Sequence, residues 1–288
     1  MLTMTKLLVP VDFSAASLHA ASQAAELARH YAAELTLLHV NPLHNDRSAY
    51  EAPMLKTEWL AKAEEELRGV LGSFATTELA GATVKRAVQS GDPAKIIIDY
   101  AHSQKINLIF ISTHGHGSLR RFLLGSVTAK VLHDAECPVW TTTHLAEQAG
   151  CGPTRVKRVL CAVDFGHQST KALGWAAQYA KEFGAKLTAV HAVTPTPPQL
   201  PDRYMFHWHG EAHCGAEERL RSLLRESQID GDSLIVDGDA PRALAAAAKQ
   251  KNADLFVMGR SCVSGRYGRL GSDAYGIICH APCPVVSI

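Results

Sequence analysis

The sequence repeats itself. Lys6-Leu7-Leu8-Val9-Pro10-Val11-Asp12-Phe13 returns as Arg158-Val159-Leu160-Cys161-Ala162-Val163-Asp164-Phe165, and Leu35-Thr36-Leu37-Leu38-His39-Val40 as Leu187-Thr188-Ala189-Val190-His191-Ala192. Gly91-Asp92-Pro93-Ala94 has a looser echo in Gly238-Asp239-Ala240-Pro241. Asn107-Leu108-Ile109-Phe110-Ile111 matches Ala253-Asp254-Leu255-Phe256-Val257, and Cys137-Pro138-Val139 matches Cys283-Pro284-Val285. All five matches keep one order, which is the mark of a unit used twice. The expected domains are residues 1–146 and 154–288, joined near Thr143–Thr154, where Gly150, Gly152 and Pro153 interrupt regular structure.

Each copy alternates short apolar runs with helical patterns. In the first, strands are expected at Leu7–Asp12, Leu35–Val40, Thr83–Gln89, Asn107–Ile111 and Val139–Thr141. Ser14 caps a helix whose Leu18, Ala21, Ala25 and Ala28 recur at helical spacing. Further helices are expected over Glu58–Phe74, from Pro93 to His102, and from Gly125-Ser126 onward. The second copy repeats the scheme with helices at Gln168–Phe183, Ala212–Ser227, Pro241–Gln250 and Ser272–His280. Strands joined through helices pair in parallel with right-handed crossovers, and strands with few polar residues fit a sheet covered on both faces. The expected class is doubly wound α/β, twice over.

Composition agrees and removes several alternatives. A chain of 288 residues with 47% apolar and 20% charged residues has material for two folded cores. A net charge of +1 gives no basic excess for nucleic acid. No apolar run approaches the ~20 residues that span a bilayer, so no membrane partner is expected. The N-terminus lacks a basic segment before an apolar one. Seven cysteines, an odd count without a Cys-x-x-Cys pair, indicate a reducing compartment. The expected location is cytoplasmic.

In doubly wound sheets a ligand binds beyond the carboxyl ends of the strands, where strand order switches. Asp12 closes the first strand there. The segment from Ser112 to Ser126 follows the fourth strand and enters a helix, with Gly115, Gly117 and Gly125 letting backbone N–H groups approach a ligand. Ser126 at the helix start offers a hydroxyl and the positive end of the helix dipole, and Arg120 and Arg121 add charge. This chemistry suits a phosphate, with Asp12 accepting hydrogen bonds from a base or ribose. Asp12 is equally well placed to be a plain turn residue. The chain has no P-loop, and Gly115-x-Gly117 lacks the third glycine of a dinucleotide fingerprint.

The residues resemble the universal stress protein family over both halves. The resemblance rests on Leu8-Val9-Pro10-Val11-Asp12-Phe13-Ser14, Ser90-Gly91-Asp92-Pro93, Ser112-Thr113-His114-Gly115, Leu124-Gly125-Ser126-Val127-Thr128-Ala129-Lys130-Val131 and Cys137-Pro138-Val139. It implies two tandem five-stranded parallel sheets of order 3-2-1-4-5, of the adenine nucleotide alpha hydrolase-like type. ATP-binding members carry Gly-2x-Gly-9x-Gly-Ser/Thr after the fourth strand. The first half reads Ser112-2x-Gly115-9x-Gly125-Ser126, with spacing kept and a serine for the first glycine. By similarity Asp12 contacts adenine, and Pro10, Val11 and Val40 line the base pocket. Ser112, His114, Gly115, His116, Gly125, Ser126, Val127 and Thr128 hold ribose and phosphates, with Mg²⁺ on the nucleotide. The second half reads Gly259-2x-Cys262-8x-Gly271-Ser272, so a degenerate site is expected there, although Arg260, Arg266 and Arg269 keep the loop cationic.

The resemblance implies a regulatory or protective role in stress response. A weak ATPase, using His114 or His116, and a nucleotide-independent interaction protein remain alternatives. The fifth strands of family members pair across a two-fold axis, so the two halves are expected to pair internally through Val139–Thr141 and Val285–Ile288. A further homo-oligomer is an open option. Fifteen histidines include His207, His209 and His213 beside Cys214, with His209 and His213 one helical turn apart. Zinc there is the lesser reading, and a partly exposed histidine-rich segment the main one. Cys137 and Cys283 are expected to be buried apolar residues, and Ala245–Ala248 a packed helix face.

Overall fold

Strand β1 (Lys6–Val11) begins the first repeat with Leu7, Leu8 and Val9 wholly buried, as a strand covered on both faces requires. The structure is a computed structural model and describes residues 2–42, 53–113, 124–142, 155–193, 202–260 and 272–288. Helix α1 (Ala15–Tyr31), β2 (Glu34–Asn41), α2 (Pro53–Ser73), β3 (Thr83–Ser90), α3 (Pro93–Gln104), β4 (Leu108–Ser112), α4 (Ser126–Asp134) and β5 (Val139–Thr142) follow. Local chemistry sets the helix ends. The Ser14 hydroxyl accepts from Ser17 N–H at 3.1 Å, and Asp92 accepts from Lys95 N–H at 3.0 Å with Pro93 in the first turn. Helix α1 presents Ala20, Ala21, Ala24, Ala25 and Ala28 to the core, small residues that bring its backbone close to the sheet. Leu18 is only half-buried.

The second repeat builds β6 (Arg158–Ala162), α5 (His167–Phe183), β7 (Lys186–Val193), α6 (Asp202–Glu226), β8 (Asp232–Asp237), α7 (Ala240–Gln250), β9 (Leu255–Met258), α8 (Ser272–His280) and β10 (Val285–Ser287). The chain divides into two compact units. One holds residues 3–113 and 125–139 among those described, and its parallel strands run in the order β3-β2-β1-β4. Here β5 starts beside β4, where Ile109 N–H donates to Pro138 O at 3.0 Å. The other unit holds Leu2, Leu124 and the described residues of 140–288, with the order β10-β9-β6-β7-β8. Counted from the start of each repeat, both orders read 3-2-1-4, with the fifth strand next to the fourth. The doubly wound parallel architecture expected from the sequence is therefore present in both copies.

The second unit takes in the end of the first repeat. Residues 140–142 of β5 lie beside β10, and the Thr141 hydroxyl donates to Val285 O at 3.1 Å. Trp140 is buried there, its ring 6.2 Å from that of Tyr179 in α5.

Three sequence expectations need correction. Helix α6 begins at Asp202, ten residues ahead of the expected Ala212. The segment follows directly on the proline-rich stretch Pro195–Pro201, which reads as a loop and set the expected start too late. Of Ala245–Ala248, Ala247 and Ala248 are buried while Ala246 is exposed, because four consecutive residues circle a helix. Cys283 is buried but Cys137 is only half-buried.

No helix among the described residues is long and apolar enough to cross a membrane.

Candidate functional site

A cavity of about 360 Å³ opens at the carboxyl ends of β1, β2 and β4. One wall is Pro10, Val11 and Asp12 of β1 and its turn with Leu38, His39 and Val40 of β2. The opposite wall is Ile111 and Ser112 of β4, with Gly125, Ser126, Val127 and Thr128 at the start of α4. Pro93 and Ile97 of α3 close the side. Of the sequence-expected residues, Pro10, Val11, Asp12, Val40, Ser112, Gly125, Ser126, Val127 and Thr128 meet here. His114, Gly115 and His116 lie outside the described residues, as do Arg120 and Arg121.

Each wall is fixed by short-range chemistry. Asp12 Oδ1 accepts from Ser14 N–H (3.1 Å) and the Ser14 hydroxyl (2.5 Å), so Asp12 is a turn residue as well as a wall of the cavity. Gly125 N–H donates to Thr113 O at 2.9 Å, and the Thr128 hydroxyl donates to Ser112 O at 2.8 Å. These bonds hold the first turn of α4 against the end of β4. Gly125 is the N-cap, and no side chain caps the helix. The first N–H groups of a helix have no acceptor within it, so Ser126, Val127 and Thr128 bring three such donors and the positive dipole end to the cavity. The described lining supplies one carboxylate, Asp12, and no lysine or arginine.

Sequence reasoning missed His39. Its Nδ1–H donates to Val11 O at 2.8 Å, and its ring stacks on Phe13 at 4.4 Å between centroids. Phe13 sits at φ +64, a left-handed conformation uncommon for a bulky residue and costing about 1–3 kcal/mol. The stack and the hydrogen bond hold that turn, and with it Asp12. The second repeat has the same device: Phe165 at φ +61, its ring 4.5 Å from His191, and His191 Nδ1–H donating to Val163 O at 2.7 Å. The recurrence of Phe13 with His39 and of Phe165 with His191 in the repeat was the signal.

The corresponding cavity of the second unit is smaller, about 150 Å³, and includes Val163, Asp164, His191, Gly259 and Asp273. Gly259, which stands where the first repeat has Ser112, is packed against α5. A Cβ there would lie 2.7 Å from Gln168 C and 2.9 Å from Ser169 N. Asp273, in the first turn of α8, stands where the first repeat has Val127. A carboxylate at a helix N-terminus occupies the favourable place of an anion and repels a second one.

Among the described residues no three His, Cys, Asp or Glu side chains could hold a metal. The side chains of His207 and His209 lie outside the described residues, and His213 and Cys214 follow in α6. Burial pushes the Cys161 thiol far above the usual thiol range, which suits a core residue and not a nucleophile.

Two copies of a parallel sheet, each with a cavity beyond its strand ends, define a tandem doubly wound α/β protein. Residues 4–142 and 155–288 each match the universal stress protein family, and the chain belongs to that family. A universal stress protein of Mycobacterium tuberculosis is 27% identical over 260 residues, covering 88% of this chain and 86% of its own length. One from Methanocaldococcus jannaschii is 32% identical over 138 residues, 46% of this chain and 79% of its own. The crystal structure of a universal stress protein from Archaeoglobus fulgidus aligns over 98% of this chain and 95% of its own, with a TM-score of 0.69 at 24% identity, a likeness of fold.

Proposed function

We propose that the chain is a cytoplasmic universal stress protein that binds ATP in its N-terminal repeat and acts as a regulatory or protective protein in stress response. The observation that carries this reading is the opposition across one cavity of an apolar wall with a carboxylate, Val11, Val40 and Asp12, and the uncapped N-terminus of α4. The first suits a base and its ribose, the second a phosphate chain. Mg²⁺ fits as an ion carried on the phosphates. The described walls offer Asp12 and hydroxyls, which is less than a protein-built cage requires. Residues 1–146 and 154–288 are the two domains, and the first is the ligand-binding one.

The test is to look for nucleotide released from purified, denatured protein, then to titrate Mg-ATP by calorimetry. No binding by the wild type at millimolar Mg-ATP overturns the reading. Gly115→Val with Ser126→Ala is expected to abolish it.

Gly125→Ala separates fold from ligand. The new methyl would meet Thr113 O at 3.6 Å and Thr128 Oγ1 at 3.8 Å, ordinary contacts, at a backbone φ of −57 open to any residue. Stability should change by no more than about 0.5 kcal/mol in urea unfolding. Affinity for Mg-ATP should fall about tenfold, because a phosphate approaching the backbone loses about 1.4 kcal/mol of close contact. Equal affinity in the variant would remove Gly125 from the site.

The same titration reads stoichiometry. The smaller volume of the second cavity and Asp273 at its helix N-terminus predict one ATP per chain. Asp164→Asn should leave that binding curve unchanged, and two equivalent sites per chain would contradict the prediction.

A further inference from the structure

The second cavity keeps one end of the first and changes the other. Leu7 pairs with Leu108 and Val159 with Leu255, which fixes the correspondence between the repeats. Val11, Asp12 and Ile97 of the larger cavity then correspond to Val163, Asp164 and Leu244 of the smaller, and all six are lining residues. The turn at this wall is also repeated, with Phe165 at φ +61 against His191 as Phe13 stands against His39. The second compact unit, to which all these second-repeat residues belong, thus has its own apolar wall ending in a carboxylate, the arrangement that suits a base and its ribose. The Asp164 carboxylate is exposed. Its Oδ1 accepts from Gly166 N–H at 2.8 Å, and Oδ2 has no partner among the described residues.

The opposite end differs in charge. The first cavity meets Val127 and Thr128 in the first turn of α4, and the second meets Asp273 and Ala274 in the first turn of α8. Asp273 brings a negative charge to the end where the first cavity offers only helix N–H groups and a hydroxyl, and no lysine or arginine among the described lining residues offsets it. An ionised carboxylate accepts hydrogen bonds and donates none, so it repels a phosphate and can accept from a hydroxyl. Size changes in the same direction. The cavity falls from about 360 Å³ to about 150 Å³, as a ligand without its phosphate chain would need.

We propose that the second cavity is a binding site for an uncharged nucleoside: Val163 and Leu244 hold the base, Asp164 accepts from its donors, and Asp273 accepts from a ribose hydroxyl while excluding phosphate. The ligand class rests on the nucleotide reading of the first cavity, and the exclusion of phosphate rests on Asp273. The two repeats then divide one kind of ligand between them by charge.

The experiment titrates the full-length protein with adenosine, AMP and Mg-ATP by calorimetry, and follows the backbone amides of residues 163–166 by NMR. Adenosine should bind twice per chain and shift these amides, whereas Mg-ATP should bind once and leave them in place. Asp164→Asn keeps an oxygen for Gly166 N–H, so the turn should survive, and the second adenosine should be lost with Mg-ATP binding unchanged. Asp273→Asn removes the charge and should tighten AMP binding in the second cavity at least tenfold, read as a second AMP per chain. Adenosine that leaves residues 163–166 unmoved overturns the proposal. So does AMP that binds the wild-type second cavity as tightly as adenosine, or an Asp273→Asn variant that still rejects it. If wild type binds no Mg-ATP while adenosine shifts residues 163–166, the nucleotide reading of the first cavity fails and the second site stands.

Discussion

Replacing Trp140 by alanine should cost about 3–5 kcal/mol of stability, the range for deleting a buried tryptophan. Trp140 is 1% exposed, and its ring meets the end of an aromatic series on α5: Tyr179 at 6.2 Å, then Trp175 at 5.3 Å and Phe183 at 4.5 Å from Tyr179. Deletion would open a cavity under a short strand of four residues, which carries little pairing of its own. Thr141 and Val285 share a hydrogen bond in the same place, so part of the loss should spread to β10. Urea unfolding followed by circular dichroism measures the effect, and Trp140→Phe should recover more than half of it. A loss under about 1 kcal/mol would mean that the aromatic series closes without Trp140. The fragment 154–288 expressed alone lacks Trp140 altogether and should show at least the same deficit. If it proves as stable as the second half of the intact chain, β5 is a passenger in that unit.

The position of Trp140 also marks the limit of what the sequence discloses. The repeat made the architecture legible, because two apolar runs that both end in Val-Asp-Phe, followed by helical spacing, have few other packings. It did not tell which strands neighbour which. The order 3-2-1-4-5 came from the resemblance, since periodicity reports a face and not a partner. The cavity walls were legible from Asp12, Val40, Gly125 and Ser126, residues at strand ends and a helix start. The hydrogen bond of His39 to Val11 was not, because it joins positions 28 residues apart, and an apolar strand with one histidine reads as a strand only. The start of α6 at Asp202 was hidden by the proline-rich stretch just before it, which extends the apparent loop.

Gly259→Ser, which restores the residue of the first repeat, should cost about 3 kcal/mol, at the upper end for overpacking a core. In the motif that marks ATP-binding relatives this position is a glycine, and the sequence alone invites the view that it serves a ligand. The packing says otherwise for the second repeat. A Cβ there would stand 2.7 Å from Gln168 C and 2.9 Å from Gln168 O and Ser169 N. These are backbone atoms, which have no rotamer to escape into, so α5 would have to move away from β9. In the first repeat Ser112 occupies the same position at the end of β4, half-buried, with its carbonyl accepting from Thr128. That repeat accommodates a side chain where the second has closed on a glycine, and the cavities differ accordingly, about 360 Å³ against 150 Å³. The reciprocal Ser112→Gly should be mild, about 0.5–1 kcal/mol from backbone entropy, and should leave Mg-ATP binding intact. The pair of variants assigns the glycine its role: a close helix–strand contact in the second repeat, with no ligand required. A neutral Gly259→Ser would show that α5 yields easily, and the small second cavity would then need another cause, with Asp273 the first residue to test.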